Sequence, residues 1–296
     1  MRITSETMVM RSLDRLQGRL SSYERSQSEL ATGRRILQPS DDPAGARRSM
    51  SLRSAMYARE QELRNVSDAK GWLHAADSQL QSVLDRLSRA QELATRGASS
   101  SGPTERHALA GEVRQIAEEI AGIANARHLD RPLFGGFGDG PAVARDGAGD
   151  WQAVGGGDAV MRRVSDTEQV RVNVTAAEWM GFTGPGDDLL TTLDDLAQRL
   201  ETGTPADISA SLGDLKDAMS TVATSLADIG AATNRVEAAG ARADDLLLTL
   251  RSELSDVQDV DVAKGVMDLQ TQQVAYEATL AAIGRALPPS LVAFLR

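Results

Sequence analysis

Residues 262–287, VAKGVMDLQTQQVAYEATLAAIGRAL, place Val262, Val266, Leu269, Gln273, Tyr276, Leu280, Ile283 and Leu287 in alternating steps of four and three. That spacing draws a narrow apolar stripe down one helix, and such a stripe leaves water only against a second helix. The matching stripe lies at the other end of the chain, in Val9, Leu13, Leu16, Leu20, Tyr23, Gln27 and Leu30. The two ends therefore read as partners. The expected fold is mainly α, a long antiparallel helical bundle or coiled coil formed by the N- and C-terminal regions. A chain closed on itself in this way is expected to be a rod or an assembly subunit rather than an enzyme.

Working inward, the first helix is expected over residues 5–33, where Gly33 supplies a natural C-terminal cap. The sequence Pro39-Ser40-Asp41-Asp42-Pro43 excludes a helix by its prolines and turn-forming acids, and predicts a turn that caps the next helix. The second helix carries Leu52, Met56, Leu63, Val66, Leu73, Leu80, Leu84, Leu87 and Ala94 on its seam. Its interruptions at Arg59, Lys70, Asp77 and Gln91 predict partial exposure or buried polar register marks. After a loop at 97–103, Thr104 reads as the N-cap of a third helix with Leu109, Val113, Ile116, Ile120 and Ile123 on one face.

Nine of the 26 glycines fall between Gly135 and Gly157, so the helical pattern stops there. The alternation from Val170 to Val174 reads as a half-exposed strand, and residues 136–184 as a small β-rich insertion. Helix resumes near Asp187, with a seam from Leu212 through Leu215, Met219, Val222, Leu226, Ile229 and Val236 to Val257. Asp256–Asp261 reads as a hinge, and Pro288-Pro289 ends the last helix before a short apolar tail. The expected domains are 1–45 and 258–296 as halves of an inner terminal coiled coil, 46–135 and 187–257 as halves of a helical rod, and 136–186 as an inserted outer domain.

Aromatic residues make up only 3% of the 296, so Ala, Leu, Val and Ile must form the core, which suits thin bundles. With no cysteine, disulfides and thiolate metal sites are excluded. A net charge of −10 argues against nucleic acid as a partner. Charge is uneven: residues 1–60 hold eleven Arg against seven acids, and residues 187–261 hold five basic residues against sixteen acids. No stretch has the length and apolarity of a membrane span, and the charged start lacks a signal-peptide core, so neither membrane insertion nor a cleaved leader is expected. His74, His107 and His128 show no ligand spacing, no phosphate-cradling glycine loop occurs, and Asp41-Asp42 reads as a turn and cap rather than an acid–base pair. No catalytic residue, metal or cofactor is expected.

Several motifs together resemble bacterial flagellins. At the N-terminus they are Met1-Arg2-Ile3-Thr4, the run Leu30-Ala31-Thr32-Gly33-Arg34-Arg35-Ile36, and Pro39-Ser40-Asp41-Asp42-Pro43-Ala44-Gly45. Asp228 to Glu237 resembles the family's inner-helix signature. Asp259 to Ala263, Gln272 to Tyr276 and Ser290 to Leu295 resemble its C-terminal one. Within that superfamily the opening tetrapeptide, the Pro-Ser-Asp-Asp-Pro loop and Gln272-Gln273 are most similar to the branch of hook–filament junction proteins, the type 3 hook-associated proteins. The likeness covers roughly 1–135 and 187–296.

The resemblance implies a structural part of the flagellum, exported unfolded without a cleaved signal and lying outside the cell. It implies self-association into a ring, with a neighbouring hook-associated protein on one side, flagellin on the other, and an export chaperone holding the C-terminal region before secretion. The residues expected at the assembly interface are Val9, Leu13, Leu16, Leu20, Tyr23, Leu30, Val262, Val266, Leu269, Tyr276, Leu280, Ile283 and Leu287, with Leu291, Phe294 and Leu295 of the tail. A filament flagellin with a reduced outer domain, and a cytosolic helical binding or signalling rod, stay open as alternatives.

Overall fold

The computed structural model describes residues 2–99, 102–184 and 188–286, with side chains except at 2–6, 8, 9, 285 and 286. Leu287, Leu291, Phe294, Leu295 and Pro288-Pro289 lie outside the described residues, as does the side chain of Val9. The chain is mainly α, with α1 (Arg2–Thr32), α2 (Pro43–Ala98), α3 (Pro103–Ala124), α4 (Ala176–Trp179), α5 (Leu189–Thr202), α6 (Pro205–Gln258) and α7 (Val262–Ala286). Between α3 and α4 lie β1 (Arg127–His128), β2 (Arg131–Pro132), β3 (Val143–Arg145), β4 (Trp151–Ala153), β5 (Met161–Arg163) and β6 (Gln169–Arg171). These make three separate two-stranded antiparallel pairs, β1 with β2, β3 with β4, and β5 with β6. Two compact units result, one of residues Met1–Ala58 with Leu247–Arg296, the other Arg59–Leu246.

The second unit holds the core. On α2, Val66, Ala69, Leu73, Ala76, Leu80, Val83, Leu87, Ala90 and Ala94 are buried in unbroken steps of three and four. Val83 thus takes the seam position expected for Leu84, which is only half-buried, and Ala69, Ala76 and Ala90 join the seam. On α6 the correction is similar. Ser211 and Ser225 are buried where Leu212 and Leu226 were expected, and those leucines pack half-exposed beside them. The reason is packing distance: where helices approach most closely only small side chains fit, and the larger neighbours close the seam's edge. A Cβ added at Gly97 would lie 2.2 Å from Leu200 Cδ2, and one at Gly240 would lie 3.0 Å from Val66 Cγ1.

Ion pairs set the register. Arg86 meets Glu119 and Arg89 meets Glu112, both at 2.8 Å, so α3 runs antiparallel to α2. Lys70–Glu237 at 3.4 Å links α2 to α6. Exposed pairs of this kind contribute roughly 0–1 kcal/mol each, so they select alignment more than they stabilise. Arg59, Lys70, Asp77 and Gln91, read as interruptions, are all half-buried. Among the described residues the one fully buried acid is Glu62, 3% exposed: Arg59 donates to its Oε2 at 2.7 Å, while its Oε1 has no hydrogen-bond partner. Burial pushes the Glu62 carboxyl up, against the opposing pull of Arg59.

Helix starts follow local chemistry. Asp188 accepts from the N–H groups of Leu190 and Thr191 at 2.9 and 3.1 Å and begins α5. Thr104 is not the cap of α3: Gly102 occupies that position and Pro103 follows it. Proline's fixed φ and missing N–H suit the first helical residue, which outweighs the threonine's capping oxygen.

The glycine-rich window holds two loops packed backbone to backbone. A Cβ on Gly136 (φ +65) would sit 2.5 Å from the Gly156 carbonyl oxygen, and one on Gly155 would sit 3.0 Å from Gly135 Cα. Strand structure begins earlier than the expected insertion. The β1–β2 turn uses Leu129 and Asp130, both at positive φ, with the Arg127 guanidinium donating to the Asp130 carbonyl. Two central residues with φ > 0 define a type I′ hairpin, normally marked by Asn-Gly, and that mark is missing here. The β5–β6 hairpin is strapped to α2 by Arg162–Asp68 (2.7 Å) and by Asn65 donating to the Arg163 carbonyl (2.8 Å). Arg235 and Arg242 of α6 both reach its Glu168 at 3.2 Å. Asn173 is buried there instead of half-exposed, donating to the Asp158 carbonyl and accepting from the Val160 N–H.

Candidate assembly surface

In the other unit α1 packs against α7, and the heptad stripes explain how. Leu16, Tyr23 and Leu30 on α1, and Leu269, Tyr276 and Ile283 on α7, are half-buried. Each trio repeats every seven residues, so each is one column of its stripe. The other column, Leu13, Leu20 and Gln27 on α1 and Val266, Gln273 and Leu280 on α7, is exposed, as is Val262 at the start of α7's covered column. Met10, Met267 and Val274 are exposed beside them. The pairing therefore uses half of each stripe.

Even the used half is thinly covered. Among the described side chains of α1 and α7 none is fully buried, whereas eight of α3's 22 residues are. The Gln272 Oε1 is buried in this unit without a hydrogen-bond partner, which costs about 1–3 kcal/mol. The two helices approach closely at Gly265, where a Cβ would lie 2.8 Å from Leu30 Cδ2.

The signature loop fixes how the two helices enter. α1 ends at Gly33 (φ +69), and the Arg34 N–H reaches back to the Glu29 carbonyl at 3.1 Å, a Schellman closure. The Arg35 N–H donates to the Gln258 carbonyl at 2.7 Å and the Val260 N–H to the Gly33 carbonyl at 3.0 Å. The α1–α2 and α6–α7 connections are thus stitched together as a short antiparallel bridge between Arg34 and Asp259. The Arg35 guanidinium caps the end of α6 at the Val257 carbonyl, 2.9 Å away. Arg53 donates to the buried Gln258 side chain at 2.7 Å.

Within Pro39-Ser40-Asp41-Asp42-Pro43 the two acids divide the work. Asp41 Oδ2 accepts from the N–H groups of Leu37 and Gln38 at 3.1 and 3.0 Å, and Arg25 of α1 pairs with Asp41 at 3.2 Å. The bond from the Gln38 N–H, helped by Leu37 and Arg25, holds the Asp41 carboxyl below the usual range despite some desolvation. Asp42 caps α2 through the N–H groups of Ala44 and Gly45 at 3.1 and 2.9 Å. Asp261 does the same for α7 through the Lys264 N–H at 3.1 Å. Pro43 opens α2, and Pro39 and Ser40 are exposed in the turn. Sequence reasoning missed Arg35, Arg53 and Gln258, because their role is contact across more than two hundred residues.

Among the described residues no group of three or more His, Asp or Glu is placed to hold a metal ion, and no helix is long and apolar enough to cross a membrane.

Comparison with known proteins places this arrangement. The bacterial flagellin N-terminal helical region matches residues 3–130, and the bacterial flagellin C-terminal helical region matches residues 212–295. The flagellar filament 33 kDa core protein of Treponema phagedenis is 24% identical over 90% of this chain and 88% of its own length. Flagellar hook-associated protein 3 of Escherichia coli is 22% identical over 94% of this chain and 95% of its own. A solved structure from Vibrio parahaemolyticus, assigned to the flagellar hook-associated proteins, shares the fold at a TM-score of 0.69 and 24% identity. It covers 74% of this chain and all of the solved one. The two matched regions carry both halves of the stitched connection and both apolar stripes, and the chain belongs to the bacterial flagellin family.

Proposed function

We propose that this flagellar structural protein forms the junction between hook and filament, and that it assembles through the exposed columns of α1 and α7. One observation carries the reading: Leu13, Leu20, Val266 and Leu280 repeat at helical spacing yet stay uncovered in the single chain. Burying each Leu- or Val-sized side chain contributes about 1.5–3 kcal/mol. Ordering a residue costs about 1–2 kcal/mol. Half-covered stripes therefore leave the pair marginal, and neighbours that cover the second columns tip the balance, so folding and association are coupled. Several contacts must form together, which makes incorporation all-or-none.

In this role the chain surrounds itself with copies of its own kind, meets a hook-associated protein on one side and flagellin on the other, and works outside the cell without catalysis. An export chaperone that covers the α7 stripe before secretion fits the same surface. The likeness to hook-associated proteins supports the junction position. A second reading, a filament subunit with a reduced outer domain, draws support from the match to a Treponema filament core protein over most of both chains. Immunogold labelling separates them: a narrow band where hook meets filament is expected, with monomeric flagellin lost to the medium when the gene is deleted. Label along the whole filament would favour the second reading.

A further inference from the structure

We propose that α2 and α6 carry two complementary halves of a contact between neighbouring copies of this chain. The inference rests on the self-assembling role above and adds a second surface, separate from the α1 and α7 stripes. In the unit formed by residues 1–58 and 247–296, the α2 segment 43–58 holds Arg47, Arg48 and Arg53 and no acid, a net charge of +3. Residues 247–261 hold Arg251 against Glu253, Asp256, Asp259 and Asp261, a net charge of −3.

Part of this opposition is used inside the chain. Arg48 meets Glu253 at 3.7 Å, and Arg53 meets Gln258 at 2.7 Å. Asp261 caps α7 and Asp259 accepts from the Ser255 hydroxyl at 2.6 Å, while Arg47 and Asp256 are exposed. On α2, Arg47, Met50, Ser54 and Tyr57 follow steps of three, four and three, and all four are exposed, Met50 and Tyr57 at 68%. On α6, Leu248, Ser252 and Ser255 follow steps of four and three, with Asp256 beside them and Asp259 just past the end of the helix. All five are exposed, Leu248 at 69%.

At 1.5 Å per residue the α2 stripe runs about 15 Å and the α6 stripe, from Leu248 to Asp256, about 12 Å, so the two are comparable in length. They also match in shape and charge. Met50 and Tyr57 are large and lie beside arginine, while Ser252 and Ser255 leave a shallow bed between Leu248 and the acids. Two different surfaces of one subunit that fit each other make a head-to-tail contact, which closes a ring when the rotation between copies closes. Because its charges are exposed, the contact weakens with added salt.

Charge reversal on the full chain, expressed in its own flagellated cells, tests the pairing. Arg47→Glu or Asp256→Arg alone is expected to reduce incorporation about tenfold, and the double reversal to restore it, because only a direct pair recovers on exchange. The chain has no cysteine, so disulfide trapping is clean. Met50→Cys in one copy and Ser252→Cys in another are expected to link across copies in assembled flagella. Single reversals that incorporate normally, with no such link, overturn the inference and leave the subunit role standing. A loss at Arg47 that Asp256→Arg fails to rescue assigns α2 to a different acidic partner and also overturns it. Absence of the unaltered chain from flagella removes the role itself, and this contact with it.

Discussion

The amide N–H of Arg35 donates to the carbonyl of Gln258 at 2.7 Å, and that bond joins two chain reversals more than two hundred residues apart. Beside it the Val260 N–H donates to the Gly33 carbonyl, so α1 and α7 leave one fixed point together. From there Leu30 and Gly265 meet, and the register of both stripes is set.

Gln258→Ala should loosen this point. Its Oε1 accepts from Arg53, and removing the amide leaves a half-buried guanidinium without that partner at a cost of about 1–3 kcal/mol. Amide exchange of Arg35 and Val260 is expected to quicken by roughly 5- to 150-fold. Unchanged exchange at both amides would show that the backbone bridge holds without the side chain.

Gly45 sits where a Cβ would lie 2.5 Å from Asp42 Oδ2 and 2.6 Å from Ile36 Cδ1. Alanine there gains about 0.5–1 kcal/mol of helix propensity. It loses more, about 1–3 kcal/mol, by displacing the Asp42 cap and overpacking Ile36. Gly45→Ala is therefore expected to be less stable to urea than the parent chain, and a more stable variant would contradict the packing described.

Asp41 gives the signature loop a pH dependence. Its carboxyl is held below the ordinary aspartate value of about 3.9, so its contribution is complete above that pH and is lost as pH falls through the folded value. Exchange at the Leu37 and Gln38 amides, corrected for intrinsic rates, should rise in that acid window. Asp41→Asn should remove the step.

Assembly and folding should separate by position. Leu13→Asp and Leu280→Asp alter exposed side chains, so each is expected to change the melting of the purified chain by no more than about 0.5 kcal/mol while blocking incorporation. Leu80→Ala, at a fully buried position of α2, should cost about 2–5 kcal/mol. Normal flagella on Leu13→Asp would remove the exposed column from the assembly surface.

The helices were legible because the apolar residues repeat at helical spacing over long stretches. What stayed hidden was which column of a stripe a neighbour covers. Leu13 and Leu16 are equally apolar, and only the partner helix distinguishes them. In α6 apolarity alone points to Leu212 and Leu226, while close approach of the helices buries Ser211 and Ser225 instead. Glu62 went unnoticed because a charged residue argues for the surface, and its burial beside Arg59 depends on tertiary packing. The β1–β2 turn escaped because Leu129 and Asp130 carry none of the usual glycine or asparagine signal. In the signature loop the cap and turn were readable from Asp41-Asp42, but the stitch from Arg35 to Gln258 spans too much sequence to be read.

Hydrogen exchange of residues 2–32 and 262–286, in the purified monomer and in assembled flagella, addresses the proposed mechanism most directly. Rapid exchange is expected in the monomer, where no described side chain of α1 or α7 is fully buried, and strong protection once copies cover Leu13, Leu20, Val266 and Leu280. Strong protection of both segments in the isolated chain would contradict it.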